Sequence, residues 1–85
     1  MMNSIEWTKK ATKQLLKIDR TNRQSIFQGV QELKGFPDCV NVKALVNHEY
    51  AYRLRIGRFR VFFEFVSQIK IIKIEEVNKR DERTY

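Results

Sequence analysis

The sequence predicts an α+β domain in which two helices pack on one face of a mainly antiparallel sheet. Apolar residues recur at helical spacing between positions 9 and 34, whereas apolar and charged residues alternate after position 50. A chain of 85 residues has room for one small core. The predicted order is a strand, two helices and a three-strand meander. Residues 1–85 are therefore expected to form a single domain.

The first strand and first helix are predicted from residues 3–18. Ile5 and Trp7 alternate with polar residues, which indicates a short strand over residues 3–7. Thr8 is suited to cap the helix that follows. The apolar stripe of that helix consists of Ala11, Leu15 and Ile18.

A second helix is predicted after a break at residues 19–20. Thr21 and Gln24 have the spacing of a capping box. Gly35 and Pro37 are typical of a helix end. The stripe of this helix is formed by Ile26, Val30 and Leu33, and Phe27 widens it.

Three strands are predicted at about 50–56, 59–66 and 69–77, after a loop with a short strand near residues 42–45. Gly57-Arg58 fits a two-residue hairpin turn. That turn would pair the first two strands as Ile56 with Phe59, Arg55 with Arg60, Leu54 with Val61 and Arg53 with Phe62. A second two-residue turn at Ser67-Gln68 would pair Val61 with Ile74, Phe63 with Ile72, Phe62 with Lys73 and Arg60 with Glu75.

This pairing predicts two chemically different faces of the sheet. One is an apolar floor for the helices, made of Leu54, Ile56, Val61, Phe63, Ile72 and Ile74. The other places Arg53, Arg55 and Arg60 close together. Like charges directly opposite one another destabilise a strand pair, so we expect the arginines to serve an anion. Phosphate is the anion we expect, because the planar guanidinium matches its geometry.

Composition points to a polyanionic partner, such as nucleic acid, the ribosome or an acidic protein. The formal net charge is +7, with 17 basic and 10 acidic residues. Cys39 is the single cysteine, which suits a reducing cytosol and a small buried apolar role. The sequence shows no signal peptide or membrane-spanning run, so a cytoplasmic protein is expected. It also lacks metal-ligand spacing and a phosphate-binding glycine loop, so we expect neither a metal nor a cofactor.

The stretch YRLRIGRFRVFFEF, the closing VNKRDERTY and the segment VKAL resemble the RelE/ParE superfamily of toxin–antitoxin toxins. The resemblance spans nearly the whole chain. It implies a RelE-like fold and a cognate antitoxin. The RelE-like branch cleaves messenger RNA in the ribosomal decoding site, whereas the ParE-like branch poisons DNA gyrase and shows no nuclease activity.

The resemblance to the RelE-like branch implies a set of catalytic residues, and we favour this branch. By motif position they are Arg53, Arg55, Arg60, Arg80 and Tyr85, while Lys79 lies where many relatives have histidine or lysine. RelE itself often has lysine at the first two positions. Arginine keeps its proton, so Arg55 is poorly suited to act as a general base.

The implied reaction is metal-free RNA cleavage by the neighbouring 2′-hydroxyl, in which the arginines stabilise the developing charge. Tyr85 would stack on an unpaired base. The acid and base are left open among Glu49, His48, Glu75 and Lys79. Glu75 has the alternative role of pairing with Arg60, and His48 that of a solvated loop residue. RNA contacts are expected from Lys9, Lys10, Lys13, Phe62 and Lys73, although the lysines of the first helix also suit a solvated face.

Two other functions remain open from the sequence. One is a ParE-like toxin that binds gyrase. The other is a non-catalytic nucleic-acid-binding module that uses residues 9–34 as a helix-turn-helix. The paired basic residues with Arg60, Arg80 and Tyr85 favour the nuclease, because they suit convergence on one phosphate. An antitoxin segment is expected to cover the arginines or the helix hairpin.

Overall fold

The structure is a computed structural model and describes residues 2–79. It contains, over that range, two α-helices, a 3₁₀ helix and a five-stranded sheet. The elements are β1 (Ser4–Trp7), α1 (Lys9–Leu16), α2 (Arg20–Gln31), the 3₁₀ helix (Glu32–Gly35), β2 (Val42–Ala44), β3 (Tyr52–Ile56), β4 (Phe59–Val66) and β5 (Ile71–Lys79). The expectations for Arg80 and Tyr85 lie outside the described residues.

The sheet has the strand order β1-β5-β4-β3-β2. β1 pairs with β5 in parallel, and the other three pairs are antiparallel. The chain reaches β5 last but places it between β4 and β1, so the N-terminal strand borders the C-terminal one. The predicted α+β class and the mainly antiparallel sheet are confirmed.

The core lies between the two helices and one face of the sheet. The helices contribute their predicted stripes, and the strands contribute the predicted floor. Fully buried residues include Ala11, Ile26, Val30, Leu33, Val61, Phe63, Ile72 and Ile74. The arginines of β3 and β4 are thereby left on the opposite face of the sheet.

Two details of the helix hairpin differ from the prediction. Asp19, rather than Thr21, caps α2: its carboxylate accepts the backbone N–H of Asn22 at 3.2 Å. Phe27 is 49% exposed and stacks on Trp7, with ring centroids 6.4 Å apart, so it is not a core residue. The cap at Thr8 is confirmed, since its hydroxyl accepts the N–H of Ala11 at 3.1 Å.

Helix α1 covers the edge of β5 that the short strand β1 leaves open. β1 ends at Trp7, opposite Ile74. Beyond that point the hydroxyl of Thr8 donates to the carbonyl of Glu75 at 3.4 Å, and the N–H of Val77 donates to Gln14 Oε1 at 2.7 Å. The side chains of Thr8 and Gln14 therefore bond the backbone groups of β5 that no strand pairs with on this edge, which places α1 beside the end of β5.

The β3–β4 hairpin has the predicted register. Arg55 is opposite Arg60, and Arg53 is opposite Phe62. Gly57 has φ +56°, a value that glycine adopts without steric strain. This turn is what brings the arginines of two strands side by side.

The β4–β5 register was predicted wrongly. The connection spans Ser67–Lys70 instead of two residues, so Phe63 pairs with Ile74 instead of Ile72. A β-bulge then leaves Glu75 outside the ladder. At Phe63 the observed register differs from the predicted one by two residues, an even number that keeps the apolar side chains on the floor. The bulge then changes the residues that lie opposite Arg60 and Phe62.

No helix in residues 2–79 is long and apolar enough to cross a membrane.

Candidate functional site

The sheet face opposite the helices, called the arginine face below, carries a close pair of arginines. The N–H of Arg55 donates to the carbonyl of Asn41 at 2.9 Å, away from β4. Arg55 and Arg60 therefore form a non-hydrogen-bonded pair, in which Cα atoms are about 4.5 Å apart and side chains are closest. Two positive charges lie side by side at the turn end of the hairpin.

Arg53 extends this positive surface along the hairpin. It lies two pairs further from the turn, between Lys43 of β2 and Phe62 of β4. Its Nε atom is buried and has no hydrogen-bond partner among the described residues. The predicted grouping of Arg53, Arg55 and Arg60 on one face is thus what the strand register produces.

An aromatic cluster lies next to the arginines. The ring of His48, from the loop between β2 and β3, stacks on Phe62 with centroids 5.1 Å apart and an interplanar angle of 13°. Tyr50 contacts Phe62 at 5.6 Å. The N–H of Tyr50 donates to His48 Nδ1 at 3.0 Å, which fixes the imidazole over Phe62. The loop that the sequence could not position therefore folds over the arginine face.

Glu76 ties this loop to α1 and β5. Its Oε1 accepts the hydroxyl of Tyr50 at 3.1 Å and lies 2.6 Å from Lys10 Nζ. Its Oε2 accepts the side-chain amide of Asn78. One carboxylate therefore joins a helix, a loop and its own strand.

The same contacts shift three pKa values. Burial pushes the pKa of Glu76 up, but hydrogen bonds from Lys10, Asn78 and Tyr50 together outweigh it and lower the pKa. The hydrogen bond to Glu76 raises the pKa of Lys10. Burial, followed by the carboxylate of Glu76, raises the pKa of Tyr50. At neutral pH the network holds a carboxylate, an ammonium group and an un-ionised phenol.

The residues proposed as acid or base lie in different places. His48 stacks on the arginine face, and Glu49 is exposed in the same loop. Glu75 occupies the bulge, so the predicted pairing of Glu75 with Arg60 is wrong; Asn78 stands opposite Arg60 instead. Lys79 is opposite Phe59, a residue of the helix-covered floor. The register therefore separates Lys79 from the arginines.

The residues expected to contact RNA are also spread out. Phe62 lies at the centre of the arginine face, opposite Glu76 and not Lys73 as predicted. Lys73 lies further along, between Glu64 of β4 and Glu6 of β1. On α1, Lys9 and Lys13 are exposed, while Lys10 makes an ion pair with Glu76.

Sequence reasoning missed four residues of this face: Lys43, Tyr50, Glu76 and Asn78. Lys43 had a usable signal, because a strand at 42–45 was expected and an antiparallel partner for Arg53 follows from it. Glu76 and Asn78 were hidden by the bulge, which reverses the side-chain alternation along β5. Tyr50 had no signal, since its contact with Glu76 spans 26 positions.

Cys39 and the question of a metal site are separate from the arginine face. Cys39 is half-buried; its thiol donates to the carbonyl of Glu32 at 3.3 Å, and burial raises its pKa. Within residues 2–79, no three histidine, cysteine or acidic side chains are arranged to hold a metal ion.

Solved structures share this fold. The RelBE2 toxin–antitoxin complex of Mycobacterium tuberculosis matches with a TM-score of 0.82 at 19% identity, covering 94% of this chain and 100% of that one. The RelE–RelB complex of Pyrococcus horikoshii matches with a TM-score of 0.79 at 22% identity, covering 96% and 99%. The isolated RelE toxin of Escherichia coli gives a TM-score of 0.79 at 15% identity, covering 94% and 86%.

Comparison of the sequence alone gives a match to a family model but not to a curated protein. Among curated proteins, no sequence matches the chain. The family model of the ParE toxin of the type II toxin–antitoxin system parDE matches residues 5–84, which is nearly the whole chain. The chain therefore belongs to the ParE toxin family of type II toxin–antitoxin systems, within the RelE/ParE superfamily.

Proposed function

We propose that this toxin is a ribosome-dependent endoribonuclease that cleaves messenger RNA on its arginine face. The observation that carries the proposal is the side-by-side placement of Arg55 and Arg60, with Arg53 two residues away on β3. Two like charges directly opposite one another destabilise the strand pair, so we infer that the arginines bind an anionic ligand. A scissile phosphodiester is such a ligand, because two guanidinium groups can bind its non-bridging oxygens together.

The chemistry we propose is attack of a ribose 2′-hydroxyl on the adjacent phosphorus. A base takes the 2′-proton, the P–O5′ bond breaks, and an acid protonates the leaving 5′-oxygen. The products carry a 2′,3′-cyclic phosphate and a 5′-hydroxyl. The arginines stabilise charge on the phosphorane-like transition state, a role that needs no proton transfer from them.

The proton carrier we favour is Glu49. It is exposed in the loop that reaches Phe62, whereas Lys79 is on the floor side and Glu75 is in the bulge. Ribosomal RNA is a further source of acid–base groups. Arg80 and Tyr85 enter this proposal by motif position alone, as a phosphate clamp and a base-stacking ring.

The partner we propose is a cognate antitoxin. The structural neighbours include toxins solved as complexes with RelB-type antitoxins. The net charge of +7 suits an acidic segment lying on the arginine face. In this arrangement the antitoxin would compete with RNA for the same cations, and the toxin would act in the cytoplasm, where ribosomes are.

A second candidate function is inhibition of DNA gyrase. The matching family model is that of ParE toxins, and this favours a gyrase-directed activity. Such a toxin acts through protein contacts and has no need for adjacent arginines. For that reason we rank it below the nuclease.

The test is expression of the toxin in cells without its antitoxin, followed by primer extension on translated messages. The nuclease proposal predicts growth arrest with new message ends inside codons, and loss of both in Arg60→Ala. Arg20→Ala, which removes one charge from the helix layer, is the matched control. Intact messages with gyrase-dependent DNA breaks would overturn the nuclease in favour of the second function.

The C-terminal residues are tested in the same assay. Arg80→Ala should abolish message cleavage and toxicity. Removal of Tyr85 should reduce cleavage sharply, because the ring proposed to stack on the base is lost. Normal cleavage by both variants would remove these two residues from the proposed site.

A further inference from the structure

We propose that the imidazole ring of His48 is a stacking platform for an unpaired RNA base, next to the arginine pair. The proposal rests on the proposed function in that it takes RNA as the ligand. It gives His48 a binding role in place of the proton-transfer role that the sequence left open.

The ring of His48 is held flat and presented outward. One of its faces lies on Phe62 at 5.1 Å with an angle of 13° between the planes. The N–H of Tyr50 holds Nδ1 at 3.0 Å, and the hydroxyl of Tyr50 is in turn bound by Glu76. His48 is nevertheless exposed, and the proposal places the base on the ring face turned away from Phe62. A flat and exposed ring is the arrangement that base stacking requires, and the contact with Phe62 keeps its plane in position.

The platform lies at a suitable distance from the arginines. Phe62, on which the ring rests, is opposite Arg53 and two residues along β4 from Arg60. Two residues of an antiparallel strand span about 7 Å. That distance is on the scale of one nucleotide, so a base on His48 and a phosphate on the arginine pair can belong to the same RNA strand.

The hydrogen bond at Nδ1 argues against proton transfer by His48. A nitrogen that accepts an N–H carries no proton, so the neutral ring has its hydrogen on Nε2. Taking a proton at Nδ1 would break the bond that holds the ring in place. Stacking uses the plane of the ring and leaves that bond intact.

Three substitutions separate the roles that His48 could have. His48→Phe keeps the aromatic plane and loses the acceptor for Tyr50. His48→Asn keeps an acceptor for the N–H and loses the plane, and His48→Gln replaces it if the asparagine variant fails to fold. Val46→Ala, at an exposed position of the same loop, is the matched control.

The measurement is binding of a short single-stranded RNA that carries 2-aminopurine and 2′-O-methyl groups, which prevent cleavage. Stacking quenches 2-aminopurine fluorescence, and titration with the full-length chain gives the dissociation constant. We expect His48→Phe and Val46→Ala to bind and quench like the unaltered chain. His48→Asn should bind roughly 5- to 150-fold more weakly. Circular dichroism melting confirms that each variant is folded.

The proposal is overturned if His48→Asn binds like the unaltered chain, if His48→Phe binds as weakly as His48→Asn, or if the unaltered chain does not bind the RNA. Cleavage on ribosomes is assayed separately with unmodified message. Absence of cleavage together with quenching that depends on the ring would remove the nuclease and leave the stacking platform standing.

Discussion

Replacing Arg55 with glutamine should stabilise the fold while removing toxicity. Arg55 and Arg60 are a non-hydrogen-bonded pair, and Arg55 is exposed. With guanidinium groups about 6 Å apart in water, their repulsion is about 0.7 kcal/mol. Screening at physiological ionic strength reduces it to about 0.3 kcal/mol. For a domain of this size, a gain of about 0.3–0.7 kcal/mol corresponds to a melting temperature about 1–6 °C higher.

The assay for Arg55→Gln is urea unfolding followed by circular dichroism, at low salt and at about 1 M salt, where the Debye length falls to about 3 Å. Arg55→Lys is the control, since it keeps the charge and should leave stability unchanged. The stabilisation of the glutamine variant should shrink at high salt. A glutamine variant less stable than the unaltered chain, or a gain independent of salt, would refute the argument that this pair opposes folding.

Three further predictions concern stability. Phe63 is fully buried, so Phe63→Ala should reduce the free energy of unfolding by about 3–5 kcal/mol. Urea titration measures this change, and a loss below about 1 kcal/mol would contradict the described core. Gly57 has φ +56°, a backbone angle that strains any residue with a Cβ even where the space around it is open, so Gly57→Ala should cost about 1–2 kcal/mol. Gly35→Ala, also in open space but without a positive φ, is the comparison and should be neutral or slightly stabilising; equal effects at both glycines would count against the turn. Because the pKa of Glu76 is lower in the folded state, its contribution is present above the ordinary value of 4.5 and is lost as the pH falls through the folded value. Glu76→Gln should therefore flatten the acid limb of a plot of stability against pH, and an unchanged limb would show that the network does not form.

The fold was predictable because side-chain periodicity and turn chemistry agree along most of the chain. The stripe of α1 and the alternation of β3 each specify one buried face, and Gly57 specifies the turn between β3 and β4. The register of that hairpin followed from the turn alone, so the grouping of Arg53, Arg55 and Arg60 followed as well.

The rest of the site depends on features that leave little trace in sequence. The Ser67–Lys70 connection looked like a two-residue turn, and the bulge at Glu75 breaks the alternation that a sequence pattern assumes. Together they changed the residues opposite Phe62 and Arg60. The loop carrying His48 and Tyr50 is positioned by contacts with Phe62 and Glu76, which only the folded chain brings together.

The proposed cleavage on the arginine face is tested most directly by the rate of message cleavage on purified, programmed ribosomes. One message is all-RNA, and a second has a single 2′-deoxy substitution at the cleaved nucleotide. We expect the unaltered toxin to cut the first, leaving a 2′,3′-cyclic phosphate, and to spare the second. Arg60→Ala should cut neither, while Arg20→Ala should act like the unaltered toxin. Cleavage of the 2′-deoxy message, or full activity of Arg60→Ala, would contradict the proposal that these arginines stabilise attack by the 2′-hydroxyl.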